Sequence, residues 1–310
     1  MKAQFFAPPG AEFHMYDPDD STDRETVPGN DYEPAVTQLL QSFYASQNGG
    51  VFLDVGALYG YFALYVARLS PTTRVIAFEP NQRSAAILQE NVRLNGVNVE
   101  VRTEALSDRS TTHAFKGKTL TSGEAAETSS TGLSPDDFER AAPELETRQR
   151  RVDWLGWASR SVRHIVRSAK GWDAAETVQC ARFDDLFDQP LPGPVFMKVD
   201  IHGAEVLALR GMQKFLKQNL DVMFLELHRD DMLVGGDHGE TVELLQAADL
   251  EIFDIRNFRS DEKWSLDLMA PSDLERLKSS KTWSFVDRTA MKMLLVKRKG
   301  FDNVIIRKAA

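Results

Sequence analysis

Residues 51–60 read VFLDVGALYG, a short apolar run that ends at an acid and is followed by two glycines. The run predicts a buried strand over 51–55, and residues 60–69 (GYFALYVARL) predict a buried helix directly after it. Glycines at such a strand-to-helix turn let the backbone turn sharply and approach a ligand closely. This stretch therefore indicates an α/β fold and marks a candidate ligand site.

The alternation of strand and helix continues along the rest of the chain. Strands are predicted at 74–79 and 97–103, with a helix over 81–95 between them. Beyond residue 190 the predicted elements are strands 194–200, 220–228, 250–255 and 290–298, and helices 204–218 and 240–248. Alternation at this pitch predicts parallel strands joined by right-handed crossovers. A long polar stretch precedes the last strand, which is predicted to enter antiparallel at the edge of the sheet.

The length of 310 residues fits one large domain, and no internal repeat divides it. We predict a single domain over 1–310. Its parts are a loop-rich cap (1–50) that ends in a helix at 34–46, a first α/β half (51–108), an irregular insertion (109–180) and a second α/β half (181–310).

Composition excludes several classes of protein. The chain is 42% hydrophobic and 27% charged, which is typical of a globular protein, and its net charge of −9 argues against general nucleic-acid binding. No apolar run reaches the roughly 18 residues of a membrane-spanning helix, and the apolar run at the N-terminus is too short for a signal peptide. The single cysteine, Cys180, excludes an internal disulfide. These features predict a cytoplasmic protein.

Acids at two predicted strand ends indicate the kind of ligand. The carboxylate of Asp54 would repel a pyrophosphate but suits a cationic group, and the carboxylate of Glu79 can accept two hydrogen bonds from a ribose diol. A dinucleotide fingerprint needs three glycines, whereas only Gly56 and Gly60 are present. Ribose recognition without a phosphate cradle indicates a nucleoside. S-adenosylmethionine has that character, because it joins adenosine to a cationic sulfur.

An ordered set of segments resembles the FkbM family of S-adenosylmethionine-dependent methyltransferases. The segments are VFLDVGALYGYFALYVARL, VIAFEPN, EALSD, FDDLF, VFMKVDIHGAEVLALRG and VMFLELH, within about residues 30–110 and 177–256. The resemblance implies the Rossmann-like class I methyltransferase fold, a seven-stranded, mostly parallel sheet with an antiparallel last strand and helices on both faces. It also implies transfer of a methyl group to a hydroxyl, often of a sugar, glycan or natural product.

The same resemblance implies a set of cofactor-binding residues. Asp54, Gly56 and Gly60 would line the methionine end, Glu79 the ribose, and residues 104–106 the adenine. The full predicted set is Asp54, Gly56, Ala57, Gly60, Glu79, Asn81, Glu104, Ala105 and Leu106. Leu58 and Ala63 stand where the family usually has Asn and Ser. That departure supports an alternative, a non-catalytic binding protein on a methyltransferase fold; a nucleotide-dependent oxidoreductase is a further alternative, against which Asp54 and the missing glycine argue.

A second group of reactive side chains follows the next two predicted strands. Asp200 and His202 come after the strand at 194–200, and Glu226 and His228 end the strand at 220–228, on one face of it. A sugar hydroxyl needs a base as it attacks, and His228 is the first candidate because histidine titrates near working pH. Asp200 would orient it or take the proton itself. The four side chains are also candidate ligands for Mg²⁺, Mn²⁺ or Fe²⁺.

Residues 152–172 predict an amphipathic helix with one basic face, one apolar face and tryptophans at its ends. Three roles fit this pattern: an interfacial helix on an anionic membrane, which would make the protein peripheral at the inner membrane face; a helix that packs on the domain; and a lid over the substrate. The acceptor pocket is predicted to come from the cap, the insertion and residues 229–238. The sequence leaves open a homo-oligomer.

Overall fold

The computed structural model describes residues 3–18, 32–46, 49–116, 119–124, 175–187, 189–259, 264–279 and 291–301. The strands are β1 (Gln4–Phe6), β2 (Phe13–Met15), β3 (Val51–Val55), β4 (Arg74–Phe78), β5 (Val99–Arg102), β6 (Ala105–Leu106), β7 (Thr111–Lys116), β8 (Thr119–Glu124), β9 (Ala175–Ala181), β10 (Val195–Val199), β11 (Val222–His228), β12 (Leu250–Arg256), β13 (Ser265–Leu268) and β14 (Met291–Arg298). The helices are α1 (Pro34–Ser46), α2 (Tyr61–Leu69), α3 (Gln82–Asn95), α4 (Phe183–Leu186), α5 (Glu205–Gly211), α6 (Gln213–Gln218), α7 (His238–Ala247) and α8 (Pro271–Ser279).

The main sheet has eight strands in the order β13-β12-β14-β11-β10-β3-β4-β5. The five strands from β5 to β11 are parallel, and β14 runs antiparallel to both of its neighbours. The predicted α/β architecture with a mostly parallel sheet is confirmed. Two details were wrong. The sheet has eight strands rather than seven, because the short polar strand β13 pairs with β12 and forms the edge. Strand β14 lies inside the sheet, because it is inserted between β11 and β12.

Helices cover both faces of this sheet, as predicted. In β3 the side chain of Phe52 packs with α1 and α2 on one face, whereas Val51, Leu53 and Val55 pack with α5 and α6 on the other. This alternation follows from the two-residue period of a strand. Because both faces are covered, all five residues of β3 are buried, and the same is true of β10.

Most predicted helices match, but the one predicted over 204–218 is divided into α5 and α6. The division follows Gly211, where a β-carbon would lie 1.9 Å from the carbonyl oxygen of Ser107. The glycine lets the helix pack directly against that backbone, and Met212 then leaves helical geometry with φ −122°. Helix α7 begins two residues earlier than predicted, with the side chain of Asp237 capping it.

The two ends of the segment predicted to be irregular form strands. β6, β7, β8 and β9 make a second sheet in the order β6-β9-β7-β8. The amphipathic helix predicted over 152–172 lies outside the described residues. Among the helices that the structure describes, none has both the length and the apolar character that crossing a membrane requires.

The N-terminal cap is attached to the main sheet through helix α3. Strands β1 and β2 form a hairpin, and the backbone N–H groups of His14 and Tyr16 donate to the side-chain oxygens of Asn95 and Asn91 on α3. The cap continues into α1, whose first turn follows directly on Glu33. The cap is therefore held next to the carboxyl ends of the parallel strands.

The chain reverses its winding between β3 and β10, which are neighbours in the sheet although β4 and β5 lie between them in sequence. Ligands of open α/β sheets bind at such a switch point. Here the two strand ends are very close, because a β-carbon on Gly56 would lie 1.9 Å from the carbonyl oxygen of Asp200. Gly56 also has a left-handed backbone, with φ 82°.

The Gly56 contact leads to a stability prediction. We expect Gly56→Ala to lower the free energy of unfolding by about 2 kcal/mol more than Gly96→Ala does, because overpacking adds to the left-handed penalty. Gly96 is the matched control, since it has φ 60° and a β-carbon added to it would meet nothing within 4 Å. Urea unfolding measures both changes. Equal losses would show that β3 and β10 are not constrained by this contact.

Candidate active site

A cavity of about 270 Å³ opens at the carboxyl ends of β3, β4, β10 and β11. It is lined by eight of the nine predicted cofactor residues, namely Asp54, Gly56, Ala57, Glu79, Asn81, Glu104, Ala105 and Leu106. Three of the four predicted catalytic residues, Asp200, His202 and Glu226, line it as well. The structure thus brings the two predicted groups to one cavity. Gly60 and His228 are not among the lining residues.

Glu79 is fixed in place by the backbone on both of its oxygens. The N–H of Leu58 donates to Oε2 at 2.8 Å, and the N–H of Asn81 donates to Oε1 at 2.9 Å. A carboxylate oxygen has further lone pairs, so each can still accept from a ligand hydroxyl. The side chain of Asn81 caps α3 by accepting from the N–H of Ser84 at 2.9 Å.

Asp54 lies near the start of α2 and is almost completely buried. Its Oδ2 accepts a hydrogen bond from the N–H of Ala63 at 3.0 Å. Burial raises the pKa of Asp54 to about 6, an effect that the nearby Lys198 ammonium partly offsets. A buried carboxyl of this kind favours a cationic neighbour over an anionic one.

Gly60 shapes the turn without touching the cavity. Its φ of 93° is left-handed, and a β-carbon there would lie 2.2 Å from the Cδ1 atom of Leu88 on α3. The backbone of Leu58 is also left-handed, with φ 51°. Leu58 and Ala63 differ from the usual residues of the family, but the contacts to Glu79 and Asp54 are intact because backbone N–H groups make them.

A buried group of charges lies on the β10 side of the cavity. The ammonium of Lys198 is 3.3 Å from Oδ2 of Asp200 and 3.7 Å from Oε2 of Glu33. Burial alone would lower the pKa of Lys198, but the carboxylates of Glu33 and Asp200 raise it well above its usual value. Burial, together with the charges of Asp200 and Glu33, raises the pKa of Glu226. Arg259 lies 3.9 Å from Glu226.

Asp200 carries its charge in spite of burial. Burial raises its pKa, but Lys198, His202 and His228 outweigh that effect and lower the pKa to about 2. One of its oxygens, Oδ1, is buried without a hydrogen-bond partner.

The two histidines are joined to each other and to a buried acid. Nδ1 of His202 lies 3.1 Å from Nε2 of His228, and Nδ1 of His228 lies 2.7 Å from Oε1 of Glu205. The structure thus places His228 behind His202, which is the imidazole on the cavity wall. Burial would lower the pKa of His228, but the hydrogen bond to Glu205 raises it above its ordinary value.

Sequence reasoning did not identify several residues of this site. Tyr32 from the cap, Phe62 from α2 and Arg259 after β12 line the cavity, and Glu33 pairs with Lys198 behind it. No local pattern marks them, because each reaches the site only through the tertiary fold. The cap, predicted to help form the acceptor pocket, reaches the cavity through Met15 and Tyr32. Among the described side chains of residues 229–238, none lines the cavity.

Comparisons with known proteins identify a family. The model of the methyltransferase FkbM domain matches residues 54–252, which is well over half of the chain. A stretch of 52 residues is 42% identical to the O-methyltransferase imqG of Aspergillus flavus; it covers 16% of this chain and 21% of that protein. The matched part is thus about a fifth of that relative's length.

Two solved structures are similar at low identity. The precorrin-6y C5,15-methyltransferase of Geobacter metallireducens is 13% identical, with a TM-score of 0.38 over 89% of this chain and 92% of its own. The methyltransferase FkbM of Methylobacillus flagellatus is 14% identical, with a TM-score of 0.40 over 72% of this chain and 44% of its own. Because both TM-scores are below 0.5, the family assignment depends on the domain match.

The first prediction from this site concerns Glu79. We expect Glu79→Gln to raise the Kd for S-adenosylhomocysteine about tenfold or more, because a hydrogen bond to a charged group is worth about 1.5–3 kcal/mol. Isothermal titration calorimetry measures the affinity, and thermal melting without ligand detects damage to the turn. Glu90→Gln, on the exposed side of α3, is the matched control. An unchanged affinity in Glu79→Gln would remove Glu79 from the ribose site.

The second prediction concerns the pH dependence of stability. Folding raises the pKa of this carboxyl, so between about pH 4 and pH 6 it is protonated in the folded state and ionised in the unfolded state. Its contribution to the free energy of unfolding therefore falls as the pH rises through this range. We expect the free energy of unfolding of Asp54→Asn to rise relative to that of the parent by up to about 3 kcal/mol between pH 4 and pH 6. Urea unfolding at pH 4, 5, 6 and 7 measures the difference. A difference between the two proteins that stays constant from pH 4 to pH 7 would contradict the assignment.

Proposed function

The chain belongs to the FkbM family of methyltransferases, and from that premise we propose that it transfers a methyl group from S-adenosylmethionine to a hydroxyl of a sugar, glycan or natural product. The observation that carries the proposal is the shared cavity. One cavity at neighbouring strand ends is lined by Glu79, which is predicted to bind the ribose, and by the reactive side chains of Asp200, His202 and Glu226.

The residues of the first α/β half fit the cofactor. The carboxylate of Glu79, already oriented by two backbone N–H groups, would accept hydrogen bonds from the ribose hydroxyls. Glu104, Ala105 and Leu106 line the side of the cavity assigned to the adenine. Asp54 would favour the positively charged methionine end. When bound, S-adenosylmethionine supplies an electrophilic methyl group on a cationic sulfur.

The residues of the second half would act on the acceptor. The hydroxyl oxygen must form its bond to carbon as the carbon–sulfur bond breaks, and it must lose its proton in the process. Asp200, at the end of β10, lies against the backbone of Gly56, so an acceptor bound there is close to the methionine end. Holding the two reactants in line supplies much of the acceleration in such reactions. The charged group around Asp200 would assist the loss of the proton.

The lining of the cavity from the cap, α2, β10 and β11 fits an acceptor with a hydroxylated ring best. The cap and α2 contribute the aromatic rings of Tyr32, Tyr61 and Phe62, whereas β10 and β11 contribute the carboxylates of Asp200 and Glu226. Aromatic rings offer an apolar surface to the face of a sugar, and carboxylates accept hydrogen bonds from its hydroxyls. The O-methyltransferase match covers too little of either chain to select among hydroxylated acceptors.

The backbone contacts also bear on the non-catalytic alternative. Leu58 and Ala63 were its main support, yet they use their N–H groups to hold Glu79 and Asp54. We therefore favour the active enzyme. The interfacial helix over 152–172, the homo-oligomer and the cytoplasmic or peripheral location stay predictions.

Methyl transfer to a hydroxyl can be measured directly. We expect the protein to transfer radiolabelled methyl from S-adenosylmethionine to members of a panel of glycosides and nucleotide sugars, and not to matched amines. Asp200→Asn should lower kcat at least about 100-fold while the Kd for S-adenosylhomocysteine changes less than about threefold. Asp267→Asn, on the edge strand, is the control. Transfer to amines alone would overturn the hydroxyl acceptor, and equal losses in kcat and affinity would give Asp200 a structural role.

A further inference from the structure

Unpartnered carboxylate oxygens are concentrated next to the cavity. Among the described residues, six buried side-chain polar atoms lack a hydrogen-bond partner, and five of them are carboxylate oxygens of Glu33, Asp200, Glu205 and Glu226. Buried polar atoms without partners are rare, and each one requires an explanation such as an ion. Lys198 lies beside Glu33 and Asp200, and Arg259 lies beside Glu226, so these two cations face three of the four carboxyls. The group is therefore suited to a further cation.

Two imidazole nitrogens lie at a separation that suits a metal ion. Nδ1 of His202 and Nε2 of His228 are 3.1 Å apart. Two nitrogens bound at about 2.1 Å to one ion, at a right angle, are separated by about 3 Å. One ligand atom of Asp200 lies within 4.8 Å of the ligand atoms of both histidines. Asp200 and His202 follow β10 and His228 ends β11, so a small ion would lie at the carboxyl ends of these two neighbouring strands, next to the switch point of the sheet.

The surroundings of these three side chains resemble those of metal ligands. A metal-bound histidine usually donates its other ring N–H to a carboxylate, which fixes the ring and its tautomer. His228 has that partner, because its Nδ1 is 2.7 Å from Oε1 of Glu205. The same oxygen accepts the N–H of Gly203 at 3.0 Å, which holds the carboxylate in place. On Asp200, Lys198 occupies Oδ2 and leaves Oδ1 for another cation.

We infer that Asp200, His202 and His228 form a binding site for a divalent transition metal ion, with Glu205 as the residue that orients His228. Two imidazoles and one carboxylate favour Mn²⁺ or Fe²⁺, whereas Mg²⁺ prefers oxygen ligands. Three protein ligands leave positions open for two oxygens of an acceptor. The binding site stands on geometry alone, and its role in catalysis rests on the proposed function.

That role is to make the acceptor hydroxyl easier to ionise. A divalent ion lowers the pKa of an oxygen bound to it. The hydroxyl proton passes to water, the oxygen forms its bond to the methyl carbon, and the carbon–sulfur bond breaks to release S-adenosylhomocysteine. An acceptor with two neighbouring hydroxyls, as in a sugar, would bind through both oxygens. The metal site thus selects for a diol.

Titration of the metal-stripped full chain with Mn²⁺ tests the site. We expect one Mn²⁺ per chain with a micromolar or lower Kd by calorimetry, and nitrogen couplings in the pulsed electron paramagnetic resonance spectrum. His202→Asn and Asp200→Asn should each weaken Mn²⁺ binding at least about 30-fold, and Glu205→Gln about 10- to 100-fold. His14→Asn, which removes an exposed imidazole from the cap hairpin, should bind Mn²⁺ like the parent.

Three outcomes would overturn the metal site: no uptake of Mn²⁺ at millimolar concentration, the same affinity in His202→Asn as in His14→Asn, or bound Mn²⁺ without nitrogen couplings. His202 and Asp200 are only partly buried, so their variants are expected to fold, and thermal melting checks this. S-adenosylhomocysteine binding, measured on the same samples, keeps the two proposals separate. Binding of the nucleoside without Mn²⁺ uptake overturns the metal site alone, whereas Mn²⁺ binding without the nucleoside overturns the proposed function.

Discussion

The close approach of two strand ends is the constraint on which the site depends. Because Gly56 has no side chain, the turn after β3 packs directly against the carbonyl of Asp200, which follows β10. The backbone N–H of Asp200 also donates to the carbonyl of Val55 at 3.0 Å, which extends the pairing of the two strands to their ends. The residues proposed to bind the methyl donor and those proposed to act on the acceptor therefore meet at this junction.

The charges around the junction depend on the cap as well as on the sheet. Glu33 adopts a left-handed backbone with φ 47° and places a fully buried carboxylate near Lys198. Strain of this kind persists only where the surrounding structure holds it, and it is common at functional sites. The cap is thus part of the electrostatic balance of the cavity, and its aromatic residue Tyr32 lines the cavity.

The sequence was sufficient for the α/β architecture and for identifying eight residues that line the cavity and are predicted to bind the cofactor. Asp54, Gly56 and Glu79 lie at strand ends or in tight turns, where local pattern and position carry the information. The eighth strand was not predictable, because β13 is a short, half-exposed strand without an apolar pattern. The position of β14 depends on its pairing with both β11 and β12, which no local pattern encodes. Glu205 begins a helix and reads as a favourable charge for the helix dipole; only the tertiary structure places it against His228. Glu33 reaches Lys198 from 165 positions away in the chain, a distance that no periodicity encodes.

The hydrogen bonds to Glu79 and Asp54 have a consequence for how such sites evolve. Their donors are the main-chain N–H groups of Leu58, Asn81 and Ala63, which every residue except proline possesses. The orientation of the two acids therefore does not depend on the side chains of Leu58 and Ala63. Relatives of this protein with divergent turns would be overlooked by a search for matching side chains, and recovered by one that compares the path of the backbone.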